Sequence, residues 1–157
     1  MTGLAYIEFS EVGLRLAAAA GFAFLLGVER ELKGKSFGLR THMLLCIGTA
    51  AFAIIAMELT LSLAPQENAV SVDPMRVVDA IIAGISFLGM GSVIRSDDSI
   101  MGATTGAGIW VLGCIGLATG LGLYAIAALI TGLVLFIFVI LNPFDNWLKK
   151  KLSDYSN

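Results

Sequence analysis

Residues 103–141, ATTGAGIWVLGCIGLATGLGLYAIAALITGLVLFIFVIL, form a run of 39 residues without one charged side chain. As a single helix this run would reach about 58 Å, at 1.5 Å per residue. The hydrocarbon core of a bilayer is about 30 Å thick and takes roughly 20 apolar residues to cross. The run is too long for one span and the right length for two. Gly120-Leu121-Gly122 divides it nearly in half and is the expected hinge.

Three further apolar blocks precede it. They cover about residues 12–28, interrupted by Arg15, about 43–64, and about 77–94. With the divided run, about 103–119 and 122–141, they make five spans. Backbone groups inside hydrocarbon must bond within their own segment, so helices are expected throughout and open sheets are not. The whole chain is 57% apolar and 14% charged, whereas a soluble domain holds about 45–50% and about 25%. The fold class is therefore an all-α membrane protein with one transmembrane domain.

Lysine and arginine set the expected orientation. Arg30, Lys33, Lys35, Arg40, Arg95, Lys149, Lys150 and Lys151 fall on one side of a five-span chain, and only Arg15 and Arg76 on the other. The positive-inside rule puts the first group in the cytoplasm, with the N-terminus outside. Residues 142–157 then form a short cytoplasmic tail, which Pro143 separates from the last helix and Trp147 and the lysines anchor at the interface. The N-terminus lacks the basic region of a signal peptide, so none is expected. No basic stripe suggests nucleic acid. Cys46 and Cys114 lie within apolar blocks and read as small packing residues, not a disulfide framework.

Candidate functional residues collect at the ends of the blocks. Glu29, Arg30 and Glu31 close the first, and Arg40, Thr41 and His42 open the second. Charges at membrane depth are costly and suggest function, although long side chains can also snorkel to the headgroups. A network such as Glu29 with Arg40 would join the two helices. Asp73 and Asp79, near Arg76, could gather a hard cation such as Mg²⁺, which needs only one or two carboxylates. The alternative is that Asp73-Pro74 simply caps the third helix. Thr104 or Thr105 could cap the fourth. Gly84 and Gly91 share a helix face, and Gly102 and Gly106 make a small-xxx-small pair of the kind that lets membrane helices approach closely. His42 is the single histidine, which argues against a histidine-built zinc site. No nucleophile–histidine arrangement and no dinucleotide fingerprint are present, so neither an enzyme nor a cofactor is expected.

Four motifs, in order, resemble one family. Gly27-Val28-Glu29-Arg30-Glu31 followed by Gly38-Leu39-Arg40-Thr41-His42 resembles the cytoplasmic loop of the MgtC/SapB family. Asp73-Pro74-Met75-Arg76 is similar to the start of that family's third helix, and Ala83-Gly84-Ile85-Ser86-Phe87-Leu88-Gly89-Met90-Gly91 to its glycine-rich body. Gly102-Ala103-Thr104-Thr105-Gly106-Ala107 with Trp110 is similar to the start of its fourth helix. The resemblance implies a five-span protein of the bacterial inner membrane. It implies links to growth at low magnesium, to virulence inside phagocytes, and to control of membrane potential or ATP synthase.

The best-known members carry a soluble C-terminal domain resembling an ACT domain. This sequence ends at Asn157, soon after its last block, so the transmembrane core alone is expected. It also has Thr104 where the virulence proteins resemble Asn, and Ser86 where Gly is usual. Two functions are expected to compete. One is a regulator acting on a membrane partner, such as an ATP synthase or P-type ATPase. The other is a Mg²⁺ or other inorganic cation transporter working as a homo-oligomer, a dimer being favoured because five short helices scarcely enclose a pore. In both the bilayer is the constant partner, with Gly84, Gly89, Gly91, Gly102 and Gly106 as packing positions.

Overall fold

A computed structural model describes residues 6–35, 37–63, 73–96, 99–141 and 151. Most of the loop 65–74, the Asp97-Asp98 loop, and Trp147 with Lys149 and Lys150 lie outside the described residues. Five helices follow one another: α1 (Phe9–Leu32), α2 (Leu39–Leu63), α3 (Pro74–Gly91), α4 (Ala103–Gly120) and α5 (Tyr124–Phe136), the last continued by a π-helical turn at Ile137–Leu141. Each is long and apolar enough to cross a membrane. The chain is thus a five-helix, multi-pass membrane protein.

The hinge falls where glycine spacing predicts. The amide of Gly122 donates to the Thr119 carbonyl at 3.0 Å and that of Leu123 to Ala118 at 2.8 Å. This is a Schellman closure, and it needs the left-handed conformation that Gly122 adopts, with φ 79°. Gly34, φ 59°, ends α1 with the same bond pattern.

Two expectations about the elements are corrected. The third block ends as helix at Gly91, and Ile94 belongs instead to a short antiparallel hairpin, β1 (Ile94–Ser96) with β2 (Ser99–Met101). Two strands outside the helices can satisfy each other's backbone, so the ban on open sheets in hydrocarbon does not reach them. The first block runs past residue 28 to Leu32, so Glu29, Arg30 and Glu31 are helical. Apolar composition ends before the helix does, because charged residues are good helix formers.

α4 lies against each of the other four helices. Its span is 61% buried, against 17–28% for the rest, which makes it the axis of the bundle. The core around it is built of small and branched side chains: Ala19, Ala23 and Leu26 from α1, Cys46 and Ala50 from α2, Leu112 and Ile115 from α4, Ala127 and Val134 from α5. Apolar burial gains little in lipid, so close approach and van der Waals contact must hold these helices. α3 is the outlier. Only Ile81, Ile85 and Gly89, four residues apart, are buried; the two isoleucines meet Ile109 of α4 and Gly89 meets Gly106.

The packing glycines sort accordingly. Gly89 and Gly106 face each other so closely that a Cβ on Gly106 would stand 2.8 Å from the Gly89 carbonyl oxygen. Gly84 and Gly91, by contrast, have open space where a Cβ would go. Within one copy they are not packing positions, because α3 turns that face away from α2 and α4.

Candidate functional site

The C-terminal turn of α1, the first turns of α2 and α4, and the π-helical end of α5 meet at one end of the bundle. Two glycines let them close. A Cβ on Gly27 would stand 2.8 Å from the Leu39 Cα, so α2 begins directly against α1. Gly38 leaves room for the Glu31 carboxylate, whose Oε2 accepts the Leu39 amide at 2.9 Å. An acidic side chain there satisfies one orphan amide and complements the positive end of the helix.

Arg30 is the centre of this end, only 4% exposed. Its Nη2 donates to Thr105 Oγ1 at 2.6 Å, and its guanidinium carbon lies 4.8 Å from the centroid of the Phe138 ring. A desolvated cation over an aromatic face is a favourable pairing. Gly108 leaves the ring its place, since a Cβ there would stand 3.0 Å from Phe138 Cζ. So α1, α4 and α5 are joined through one guanidinium.

Glu29, one helical position earlier, is also buried, at 9% exposed. Its Oε1 lies 2.5 Å from Lys33 Nζ, yet neither carboxylate oxygen has a hydrogen bond. The Lys33 contact is thus a charge pairing outside hydrogen-bond alignment, and Oε2 has no hydrogen-bond partner among the described residues. Lys33 Nζ also donates to the Phe138 main-chain carbonyl at 2.7 Å. His42 is buried beside this group, and its Nδ1 lies 2.9 Å from the Gly38 carbonyl. A carbonyl only accepts, so that nitrogen carries the proton.

The structure therefore brings together Glu29, Arg30, Glu31, His42 and Thr105. It leaves Arg40 and Thr104 exposed and Thr41 half-buried. The Glu29–Arg40 network is not formed, because Lys33, one turn along the same helix, takes the carboxylate. Threonine capping of α4 is also corrected. The N-cap is Gly102, in the left-handed region, with no side-chain cap, which frees Thr105 for Arg30. Trp110 sits elsewhere, lining an apolar groove between α3 and α4 with Ile81, Ile85 and Cys114. Lys33 was legible as an i, i+4 partner of Glu29. Phe138 and Gly108 were not, since nothing marks them within an uncharged run.

At the opposite end, Arg15 Nε bonds Glu11 Oε1 at 2.9 Å and its Nη1 donates to the Gly120 carbonyl at 2.8 Å. Tyr124 donates to the same Glu11 oxygen at 2.9 Å. These bonds tie α1 to the α4–α5 turn. Asp73, Arg76 and Asp79 are exposed at the start of α3. Asp73 Oδ1 accepts the Met75 amide at 2.9 Å, with Pro74 as the first helical residue. Six positions on a helix turn about 240°, so Asp79 projects away from Asp73. Among the described residues no three His, Cys, Asp or Glu side chains could hold a metal ion together. If capping is what Asp73 does, Asp73→Asn will leave thermal stability unchanged and Asp73→Ala will lower it by about 1 kcal/mol. Thermal unfolding in detergent, with and without Mg²⁺, checks this. An equal loss in both variants, present only with Mg²⁺, would point to ion binding instead.

A sequence profile of the MgtC family matches residues 16–147, the greater part of the chain, with the whole Arg30 end and all of the opposite end but Glu11 and Arg15. The chain belongs to the MgtC family. It is 35% identical over 132 residues to an Escherichia coli K12 protein named "Putative magnesium transporter YhiD", covering 82% of this chain and 61% of that one. It is 34% identical over 151 residues to Protein SapB of Bacillus subtilis, covering 94% and 62%. To Protein MgtC of Brucella abortus it is 31% identical over 128 residues, covering 82% and 50%. The chain thus aligns with half to three fifths of the length of these relatives. No solved structure matches it.

Proposed function

We propose that this MgtC-family chain is a regulator in magnesium-linked physiology, with an effect on membrane potential or ATP synthase, and that it acts through a protein partner in the bacterial inner membrane. The observation that supports this most is the closed middle of the bundle. Ala19, Ala23, Leu26, Cys46, Ala50, Leu112 and Ile115 are each no more than 1% exposed. Among the described residues they separate the Arg15 end from the Arg30 end with apolar packing, and the buried Thr49, Thr119 and Thr131 hydroxyls each bond a carbonyl of their own helix, so they offer a cation crossing one copy no continuous polar path. The Arg30 end offers a contact surface instead, with Glu31, Lys35 and Arg40 exposed around a rigid polar centre. The excess of lysine and arginine at that end supports placing it in the cytoplasm.

The second reading is Mg²⁺ transport, favoured by the name of the Escherichia coli relative. It requires a path between copies in an oligomer, with Asp73 and Asp79 gathering the ion outside. Purified protein in vesicles, tested for Mg²⁺ flux under an imposed potential, separates the two. The expected result is no flux above protein-free vesicles, while a photocrosslinker at Arg40 captures a discrete membrane protein in cells. Protein-dependent flux that collapses in Asp73→Asn would overturn the regulatory reading.

A further inference from the structure

Lys33 holds an unusual position for a residue at a helix end. Its ammonium touches two oxygens, Glu29 Oε1 at 2.5 Å and the Phe138 carbonyl at 2.7 Å. These are distances at which a hard cation also meets oxygen. Glu29 calls for a cation whether or not Lys33 supplies it. It is buried, with Oε2 lacking a hydrogen-bond partner among the described residues and Oε1 in no aligned hydrogen bond, and a buried carboxylate left so is costly unless a cation compensates it. Phe138 lies in the π-helical turn. Its main-chain carbonyl accepts from the Lys33 ammonium, a side chain 105 positions away in the sequence. Two oxygen ligands from different helices therefore face one point, and a flexible side chain fills it from the rim. The Lys33 side chain is still one third exposed, so water and ions reach it.

We infer that Glu29 and the Phe138 carbonyl form a site for a hard monovalent cation, such as K⁺ or Na⁺, which the Lys33 ammonium occupies as a tethered and exchangeable plug. Charge decides the valence. Arg30, next to Glu29 on α1, stays in place with Thr105 and Phe138. His42, facing from α2, donates its Nδ1 proton to Gly38 and brings no carboxylate. Exchanging one positive charge for another leaves the local balance unchanged, whereas a divalent ion would add to the repulsion from Arg30. When the ion enters, Lys33 swings outward and the direct link from α1 to the end of α5 is replaced by an ion bridge. The inference does not depend on the regulatory reading, since the site exists whatever partner the chain has.

The test measures Lys33 directly. The full chain in nanodiscs is exposed briefly to an amine-reactive ester, in KCl or in N-methylglucamine chloride at equal ionic strength. Labelling of Lys33 and of exposed Lys35 is read by mass spectrometry. Lys33 labelling is expected to rise at least threefold in K⁺ while Lys35 does not change. Glu29→Gln is expected to label strongly in both salts. Independently, Lys33→Met should be stabilised by K⁺ over N-methylglucamine, and the double variant with Glu29→Gln should not. Lys33 labelling in the wild type that is indifferent to the cation would overturn the inference, whether or not the Lys33 variant folds. A Lys33→Met protein that folds but ignores K⁺ would do the same, leaving Lys33 as a helix cap only.

Discussion

Arg30→Ala is expected to lose about 3–5 kcal/mol of stability, the scale for removing one member of a buried ionic group. Three partners lose it at once. Thr105 Oγ1 loses the bond at 2.6 Å, the Phe138 ring loses the cation at 4.8 Å, and Glu29 keeps only Lys33. A guanidinium-sized void is left where α1, α4 and α5 meet. Arg30→Lys should recover less than half of the loss. An ammonium keeps the charge, but it cannot lie flat on Phe138 while its edge reaches Thr105. Thr105→Val should cost about 1–3 kcal/mol, because it leaves a buried donor without an acceptor. The two sites share a bond, so the double variant should be less damaged than the sum of the singles. Denaturant unfolding of all four proteins in one detergent checks this. Full additivity, or an Arg30→Ala protein within about 0.5 kcal/mol of wild type, would sink the view that this cluster holds the end of the bundle together.

What could be read from the sequence follows from which forces leave a trace in residue order. Hydrophobic length does, so the five spans and the Gly120–Gly122 hinge were legible. Charge at block ends does too, and Glu29, Arg30 and His42 were candidates before any coordinates placed them together. Helix ends were less legible: α1 keeps its charged residues because Gly34 stops it, not because apolar residues run out. The third component of the Arg30 site was hidden. Phe138 is one of many apolar residues in an uncharged run, and only the packing of α5 on Gly108 selects it. The role of Thr105 was misjudged for a related reason. Local rules favour a threonine cap, but Gly102 already supplies the backbone turn, and tertiary contact claims the hydroxyl. On α3 the glycine pattern marked a face without saying what packs on it. A shared face for Gly84 and Gly91 is real in helical geometry, yet none of the described residues of one chain packs on it.

That last difference gives the second large effect, between glycines that the pattern treats alike. On α4, a Cβ at Gly116 would stand 2.6 Å from the Cys46 carbonyl oxygen, and one at Gly120 would stand 2.5 Å from that of Ala50. Both obstacles are backbone of α2, which no side-chain rotation removes. Gly120 also has the Ala53 Cβ at 2.8 Å and bears the carbonyl that Arg15 uses. Alanine at either position must push α2 from α4, and packed contact is the main attraction between helices in lipid. Each substitution is expected to cost about 2–3 kcal/mol, in the range for overpacking a core. Gly116→Ala with Gly120→Ala together should leave little folded protein. Gly84→Ala should instead be neutral, or more stable by up to about 1 kcal/mol, since alanine favours the helix and meets open space. Melting temperatures of the purified variants in one detergent decide it. If Gly84→Ala proves as damaging as Gly120→Ala, the open face of α3 is covered in the assembled protein, and a second copy would be the first candidate to test by crosslinking. If only the α4 variants fail, the seam between α2 and α4 is what holds the bundle closed, and the seal that argues against a pore through one copy rests on two hydrogen-sized side chains.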